Sequence, residues 1–239
     1  MSSGISIIIP TLNEEAFLRP VIAHTLSNAS DPNNLELIVV DAGSSDQTLA
    51  TVSDLDISIF EKPDFKLKKY LSLNFGIDQS KGDVLIFLDA DTLLPAHFDS
   101  MVLETLKDER VVGGAFEHSF DKTNWKLWCI QTYNRLRYRA GHIFFGDQAI
   151  FCKRSAAVRI GGFPSKQLME SAYFCKELKK EGKLRLIKHS IRTSSRRFEE
   201  HGFLKVSWFD LMMWFRFRLN LPVKEYGKKY WGMNLKSNG

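Results

Sequence analysis

Asp89 and Asp91 are separated by one residue and directly follow an apolar run, residues 84–88 (VLIFL). Strict alternation of side chains stops where a strand ends, so both carboxylates can turn toward one cation. Hard divalent ions such as Mg²⁺ and Mn²⁺ prefer oxygen ligands and often share them with a diphosphate. The pair is therefore a candidate metal and diphosphate site. A turn with two solvated aspartates is the alternative, and the place at a strand end favours the metal site.

Asp41 and Asp46 form a second acidic segment after another apolar run, residues 35–40. An aspartate at a strand end can accept hydrogen bonds from a nucleobase N–H or from ribose hydroxyls, so Asp41 is a candidate nucleotide-binding residue. Asp46 has the position of a helix N-cap, and we expect it to begin a helix over residues 48–53.

These acidic segments belong to a regular alternation of predicted strands and helices in the first 95 residues. The strands are expected at residues 6–9, 35–40, 57–61 and 84–88, and the helices at 14–27, 48–53 and 68–80. This order is typical of a doubly wound parallel sheet, in which ligands bind beyond the carboxyl ends of the strands. Residues 11–14, 41–46 and 89–92 all fall at those ends.

The second half of the chain continues with both element types. Strands are expected at residues 111–120, 149–153 and 185–191, and helices at 98–107, 125–138 and 171–181. The whole pattern predicts an α/β fold: a doubly wound, mostly parallel sheet flanked by helices, followed by a helical aromatic C-terminal tail.

Two common nucleotide-binding loops are absent from the sequence. A dinucleotide enzyme needs G-x-G-x-x-G after the first strand, where the glycines let a pyrophosphate approach a helix N-terminus. Residues 10–15 read PTLNEE instead, and no Walker A lysine loop occurs. NAD-dependent enzymes and P-loop NTPases are therefore disfavoured.

The formal net charge of the 239 residues is +5, and the basic residues concentrate late in the chain. This asymmetry favours a phosphate-handling C-terminal half over a uniformly basic nucleic-acid binder, so no nucleic-acid partner is expected. Three widely spaced cysteines without a CxxC pair argue against zinc and thioredoxin-type sites. Because we find neither a signal peptide nor an apolar run of about 18 residues, we expect a cytoplasmic protein.

Several ordered segments resemble the donor half of family 2 glycosyltransferases, which have the GT-A fold. The segments are SIIIPTLNEE, VVDAGSSDQT and FLDADTLLP, and the later GDQAIF, IGGFP, LMES and TSSRRF look like one bacterial subgroup. The resemblance covers residues 6–197. It implies inverting transfer of a sugar from a nucleotide donor, a UDP- or GDP-sugar, to a hydroxyl acceptor, with Mg²⁺ or Mn²⁺ as cofactor.

The resemblance also implies site roles, position by position. The residues that would line the nucleotide pocket are Pro10, Leu12, Glu14 and Asp41. Asp89 and Asp91 would hold the metal and the diphosphate. Lys69 would meet donor phosphate or sugar, because it stands where many members of the subgroup have arginine before an N-x-G, residues 74–76 here.

The chain departs from the family pattern where a general base is expected. Many relatives have Glu-Asp where this chain has Glu170-Ser171, and the aspartate of that pair is often assigned as the base. An acceptor hydroxyl must lose its proton as it attacks, so a carboxylate is needed. Glu170 is the first candidate, with an acid stabilising a helix start as the alternative. Asp147 is the second, with a turn residue as the alternative.

Arg196 and Arg197 follow the last predicted strand, and guanidinium groups pair well with phosphate oxygens. We expect both to bind donor phosphate, the alternative being a solvated basic pair. The isolated histidines are expected to be structural; they are His118, His142 and His201.

We expect a GT-A-like domain over residues 1–197, with a nucleotide-donor half (1–95) and an acceptor half (96–197). The tail, residues 198–239, is aromatic and basic. It either packs on the core or lies on the inner face of a membrane near a lipid-linked acceptor. Two other functions stay open: a sugar-1-phosphate nucleotidyltransferase, which lacks its glycine-rich loop here, and a catalytically weakened nucleotide-sugar-binding partner protein, to which Ser171 points.

Overall fold

The computed structural model describes residues 4–122, 124–141, 143–223 and 226. The strands of one sheet are β1 (Ile5–Thr11), β2 (Leu35–Asp41), β3 (Ser58–Glu61), β4 (Val84–Phe87), β5 (Thr92–Leu93), β6 (Val111–Phe120), β7 (Phe151–Lys153) and β8 (Lys183–Thr193). The helices are α1 (Leu18–Asn28), α2 (Lys69–Gln79), α3 (Phe98–Leu106), α4 (Trp125–Gly141), α5 (Arg154–Arg159), α6 (Glu170–Glu181), α7 (Arg196–His201) and α8 (Phe203–Arg218).

The strand order across the sheet is β3-β2-β1-β4-β7-β6-β8-β5. The first four strands pair in parallel, and so do β6 and β8, while β7 is antiparallel to both β4 and β6. The short β5 pairs antiparallel with β8 at the far edge. The predicted α/β fold with a mostly parallel sheet is therefore confirmed, and the antiparallel β7 makes it a mixed sheet.

Helices cover both faces of the sheet because the central strands are apolar on both sides. Along β1, Ile7 and Ile9 pack with α1 and α3 on one face, whereas Ile8 packs with α2 and α6 on the other. Both faces are fully buried at these positions. This two-sided core holds the carboxyl ends of β1, β2 and β4 at one edge of the sheet.

The prediction of a helix at residues 48–53 is wrong, because this segment contains only a 3-10 turn, Ala50–Val52. Asp46 does accept the Thr48 N–H, as a cap would. The Thr48 hydroxyl, however, accepts a hydrogen bond from the Glu14 N–H, so Thr48 is bound to the loop that follows β1. Thr51 and Val52 are β-branched and add little helix propensity.

Three elements were not expected from the sequence: β5, α5 and α7. The first helix begins at Leu18 rather than residue 14, close to Arg19, after which Pro20 was expected to confine its regular part. Residues 12–17 instead form a turn that includes Asn13 in the left-handed region, at φ 56°. Each of these differences lies in a connection, where local propensity is weak and tertiary contacts decide.

The tail packs on the core through one face of α8. The buried residues of this face are Val206, Phe209, Met213 and Phe217, and Phe217 joins the hydrophobic cluster beside Ile8. Among the described residues, no helix has the length and apolarity needed to cross a bilayer. The predicted domain boundary at residue 197 stays a prediction.

Candidate functional site

The carboxyl ends of β1 and β2 lie side by side, with Thr11 opposite Asp41 in register. The buried Asp41 carboxylate accepts the N–H groups of Gly43 and Ser44 at 2.9 and 2.8 Å. Its other oxygen accepts the Ser44 hydroxyl at 2.5 Å and the Thr11 hydroxyl at 3.3 Å. Asp41 therefore shapes the loop after β2, and its expected contact with a nucleotide stays a prediction. Pro10 and Leu12 flank Thr11 at this edge.

The loops after β1 and β2 are joined by reciprocal hydrogen bonds. Asn13 donates its N–H to the Ser44 hydroxyl at 2.8 Å, and its side-chain oxygen accepts the Ser45 N–H at 2.8 Å. Glu14 donates its N–H to Thr48 at 2.7 Å. These bonds fix the backbone of Glu14, whose side chain then points into the cleft beyond the strand ends.

The Asp89–Asp91 segment follows β4 and is closed by a turn, since the Thr92 N–H donates to the Asp89 carbonyl at 3.0 Å. Lys69, the first residue of α2, places its Nζ 2.5 Å from Asp89 Oδ1. The Lys69 ammonium and the Asp89 carboxylate are both partly exposed, so a ligand entering the cleft can reach them.

Arg196 reaches the same cleft from the other end of the chain. Its Nη2 lies 2.6 Å from Glu14 Oε1 and 3.5 Å from Asp91 Oδ2, and its guanidinium lies 4.5 Å from the centre of the Phe17 ring. The strand pairing explains this position. Thr92 pairs with Thr193, and the Ser194 N–H donates to the Asp91 carbonyl at 3.3 Å.

Arg197 turns the opposite way, although it is adjacent in sequence. Its Nη2 lies 2.8 Å from Asp210 Oδ1 on α8. Successive residues at the start of a helix point about 100° apart, so α7 can aim only one of the two arginines at the cleft. The structure thus brings Arg196 to the predicted site and leaves Arg197 tying α7 to α8.

Glu170 begins α6 and is buried beside the same charges. The neighbouring Ser171 hydroxyl and the Lys69 ammonium act to lower the pKa of Glu170, against the larger effect of burial. A methyl group placed on Gly146 would lie 3.1 Å from Lys69 Nζ, 3.3 Å from the Ser171 hydroxyl and 3.7 Å from Asp89 Oδ2. Gly146 therefore lets these groups approach one another.

We call six residues the charged cluster: Glu14, Lys69, Asp89, Asp91, Glu170 and Arg196. Its four carboxylates outnumber its two cations. Burial raises the pKa of Glu14 and of Glu170 above the usual range of a glutamate. Burial, together with the negative charges of Asp89 and Glu14, raises the pKa of Asp91 to about 7.

The excess of acid in the cluster suits a bound cation. Among the residues that the structure describes, the buried Glu14 Oε2 has no hydrogen-bond partner, so the cluster has acceptor capacity to spare. No group of three or more His, Cys, Asp or Glu side chains is arranged around an ion position in the part of the chain that the structure describes. An ion held by Asp89 and Asp91 would have to take its remaining ligands from a diphosphate and water.

Asp147 lies in the 3-10 turn Gly146–Gln148 at the rim of the cleft, and its side chain is 42% exposed. Its carboxylate Oδ2 lies 3.6 Å from His118 Nε2 on β6, and its carbonyl accepts the Thr193 hydroxyl at 3.3 Å. His118 is therefore buried beside Asp147, and its expected structural role stays a prediction. His201 lies 3.9 Å from Glu200, and His142 lies outside the described residues.

Sequence reasoning missed three contributors to the site. Gly146 has no side chain and so leaves space for Lys69. The Phe17 ring packs against the Arg196 guanidinium, and His118 contacts the Asp147 carboxylate. The GDQ segment was a signal for Gly146. Neither Phe17 nor His118 has a distinctive spacing, because their partners are far away in the sequence.

A charged cleft at the carboxyl edge of a mostly parallel sheet lies where α/β proteins of this architecture bind their ligands. Residues 6–163 match the model of glycosyl transferase family 2, so the chain belongs to this family, as its sequence motifs predicted.

A curated relative is the GalNAc(5)-diNAcBac-PP-undecaprenol beta-1,3-glucosyltransferase of Campylobacter jejuni, 34% identical over 97 residues, which are 36% of this chain and 29% of the relative. The chain spans about a third of the length of the first curated relatives it matches.

Solved structures agree on the fold. The mannosyltransferase PcManGT from Pyrobaculum calidifontis, in complex with GDP-Man and Mn²⁺, superposes with a TM-score of 0.64 at 24% identity, over 80% of this chain and 57% of that one. Residues 1–349 of S. aureus TarS in complex with UDP-GlcNAc give a TM-score of 0.62 at 16% identity, over 80% and 58%. Both likenesses support the GT-A-like fold.

Proposed function

We propose that this chain is an inverting glycosyltransferase that moves a sugar from a nucleotide diphosphate to a hydroxyl acceptor. The observation that carries the proposal is the charged cluster. It lies beyond the carboxyl ends of the strands in a chain that belongs to this family. Residues 1–95 supply Glu14, Lys69, Asp89 and Asp91, whereas residues 96–197 supply Asp147, Glu170 and Arg196. The proposed donor and acceptor halves thus meet at this cluster, and Arg196 is the residue of the second half that is assigned to the donor.

Lys69 and Arg196 bind the donor diphosphate in this proposal. Each now pairs with a carboxylate of the cluster, Asp89 and Glu14 respectively, at 2.5 and 2.6 Å. A diphosphate offers several charged oxygens and could take over these hydrogen bonds. Arg197 is paired with Asp210, so we assign the phosphate role to Arg196 alone.

A divalent ion, Mg²⁺ or Mn²⁺, is the proposed cofactor, with Asp89 and Asp91 as its protein ligands. Such an ion neutralises charge that builds on the leaving diphosphate. The structurally similar PcManGT was solved with Mn²⁺ and GDP-Man, which supports this choice of ion. The pKa of about 7 for Asp91 indicates that a neighbouring positive charge would favour its ionised form.

In the reaction, the acceptor oxygen attacks the anomeric carbon and forms the new glycosidic bond. The bond from that carbon to the diphosphate oxygen breaks, and the nucleoside diphosphate leaves with the electron pair. The acceptor proton passes to a carboxylate, for which we propose Glu170 because Lys69 and Asp89 lie beside it at the donor phosphate site. Asp147, with the more exposed side chain, is the second candidate.

The donor is proposed to be a UDP- or GDP-sugar, since the two structural relatives bind GDP-Man and UDP-GlcNAc. The name of the Campylobacter relative includes an undecaprenol diphosphate, which supports a lipid-linked acceptor and a place on the inner face of a membrane, reached through the tail. A nucleotidyltransferase is not supported, because the loop after β1 has no glycine at residues 12–17.

Calorimetric titration with UDP- and GDP-sugars, with and without Mn²⁺, tests the donor and metal assignments. We expect binding of one donor that depends on Mn²⁺ and is lost in the double variant Asp89→Ala and Asp91→Ala. The matched control, Asp56→Ala with Asp78→Ala, removes two exposed carboxylates and should bind like the wild type. Unchanged binding by the Asp89/Asp91 variant would overturn the metal assignment.

The second candidate function, a weakened nucleotide-sugar-binding protein, is favoured by one observation: Ser171 occupies the cleft beside Lys69 and Asp89. If that function is right, the wild type binds donor without turnover, and Ser171→Asp should create turnover by restoring the family's acidic residue. If Glu170 is the base, the wild type turns over and Ser171→Asp adds like charge without benefit. Measuring product release in both proteins separates the two functions.

A further inference from the structure

Helix α8 is apolar on two faces, and only one of them packs on the core. The exposed face carries Leu204, Trp208 and Phe215, which are 81%, 70% and 57% exposed. At about 3.6 residues per turn these three positions share one side, opposite the buried Val206 and Phe217. The helix therefore presents a second apolar stripe that nothing in the described residues covers.

Cations flank the exposed stripe of α8. Lys205 and Arg216 lie on one side of it and Arg218 on the other, by the same helical spacing. The one acidic residue of the helix, Asp210, lies on the core-facing half and pairs with Arg197. The exposed half of α8 is thus apolar along its centre and positively charged along both margins.

A second pair of exposed aromatic side chains lies at the start of α4. Trp125 and Trp128 are 71% and 62% exposed and lie one turn apart on α4. The Lys126 ammonium lies 5.8 Å from the centre of the Trp125 ring and 5.9 Å from that of Phe203, the first residue of α8. The two helices therefore adjoin at their N-terminal ends, and another cation lies where they meet.

We propose that this surface docks on an anionic lipid bilayer; we call it the apolar surface and define it by Trp125, Trp128, Leu204, Trp208 and Phe215. Large exposed apolar patches mark interaction sites. Tryptophan is favoured at the level of lipid headgroups, and flanking lysine and arginine side chains pair with anionic headgroups while their stems cover apolar area. The lysine and arginine side chains along both margins of the α8 stripe thus complement the negative charge of such a bilayer.

The docked orientation would place the cleft near the bilayer, and this consequence rests on the proposed function. The Ser195 N–H donates to Asp121 at 2.9 Å, and Lys122 lies 2.7 Å from Glu199, so the segment before α4 is bound to α7. Arg196 begins α7 and reaches into the charged cluster. A lipid-linked acceptor could then meet the cleft without leaving the membrane.

Sedimentation with vesicles tests the proposal on the full chain, without donor or acceptor. Vesicles of phosphatidylglycerol mixed with phosphatidylcholine should retain the protein, and phosphatidylcholine vesicles should retain less. Lys205→Glu changes the charge by two and should weaken binding about tenfold or more. Trp208→Ser should weaken it several-fold. The controls are Lys188→Glu and Val158→Ser, which alter an exposed lysine on β8 and an exposed apolar residue on α5.

Circular dichroism and donor calorimetry on each variant make the outcomes distinct. Loss of vesicle binding with an intact fold and unchanged donor affinity supports the docking surface. A wild type that binds donor but no vesicle, or variants that bind vesicles like the wild type, would overturn it. A concentration-dependent dimer that Trp208→Ser dissociates, without any vesicle binding, would assign the surface to a second copy instead. Vesicle binding without donor binding would leave the docking surface standing and remove the proposed reaction.

Discussion

Glu170 and Asp147 are the two carboxylates placed to accept an acceptor proton, and they differ in environment. Glu170 is buried beside Lys69, whereas the Asp147 side chain is partly exposed and lies 3.6 Å from His118 Nε2. A general base works best when its pKa approaches the working pH. Burial moves the pKa of Glu170 in that direction, which is the physical reason for ranking it first.

We expect Glu170→Gln to keep donor affinity and to lower kcat by about 10²-fold or more, because the amide cannot accept the proton. In the wild type, kcat should fall as pH drops through the raised pKa of Glu170, since only the ionised form acts as a base. That acidic limb should disappear in the variant. Turnover against pH, at saturating donor, measures both effects, and Asp147→Asn is the comparison. A larger loss in Asp147→Asn would transfer the role to Asp147.

The two adjacent arginines give a matched pair of substitutions. Arg196→Ala should weaken donor binding about tenfold or more, because it removes charged hydrogen bonds to the diphosphate. Arg197→Ala should leave donor affinity unchanged, since this side chain pairs with Asp210 on α8. Calorimetry with the nucleoside diphosphate and Mn²⁺ distinguishes them. Equal losses of affinity would mean that both arginines bind phosphate.

At the scale of elements, α2 sets the position of Lys69, and its distance from the sheet depends on one glycine. A methyl group on Gly76 would lie 2.4 Å from Ile8 Cγ2, inside the buried contact between α2 and β1. The helix can approach the strand this closely only because Gly76 has no side chain. A displacement of α2 would also change the position of Lys69 relative to Asp89.

Gly76→Ala should therefore lower the free energy of unfolding by about 1–3 kcal/mol, as overpacking does in a buried core. Denaturant unfolding measures this loss. Asp78→Ala, on the exposed side of the same helix, is the control and should change stability little, since alanine is a good helix former. A neutral Gly76→Ala would show that α2 moves freely on the sheet.

At the scale of the molecule, α8 belongs to the core, whatever its outer face contacts. A chain ending at residue 202 would lose the four apolar residues of the inner face, two of which are Phe209 and Phe217. Each buried side chain of this kind contributes about 1.5 kcal/mol or more. We expect the truncated chain to melt at a clearly lower temperature, as measured by calorimetric or circular-dichroism melting. Unchanged melting would support the domain boundary at residue 197.

The parts of this fold that follow from local pattern could be predicted. The apolar runs at β1, β2 and β4 and the acidic segments after them fixed the edge where the site lies. The short α7 and β5 could not be predicted, because they exist through pairing with distant segments, as Thr92 pairs with Thr193.

The site shows the same division. The sequence indicated Asp89 by its place after an apolar run, Arg196 by its guanidinium group after the last strand, and Glu14 by motif resemblance. It treated Arg196 and Arg197 as equals. Which arginine faces the cleft depends on where α7 begins, and that depends on the end of β8. The supporting contacts of Phe17 and His118 depend likewise on tertiary packing.

The ion pair between Glu14 and Arg196 joins residues 182 positions apart. During synthesis the first strands leave the ribosome long before Arg196 is made, so the nascent first half of the chain contains Glu14, Asp89 and Asp91 without this balancing charge. The charged cluster is complete only after β8 has joined the sheet and α7 has brought Arg196 to Glu14. An interrupted chain that stops before this point would leave Glu14 without its partner Arg196 and would hold no complete cleft.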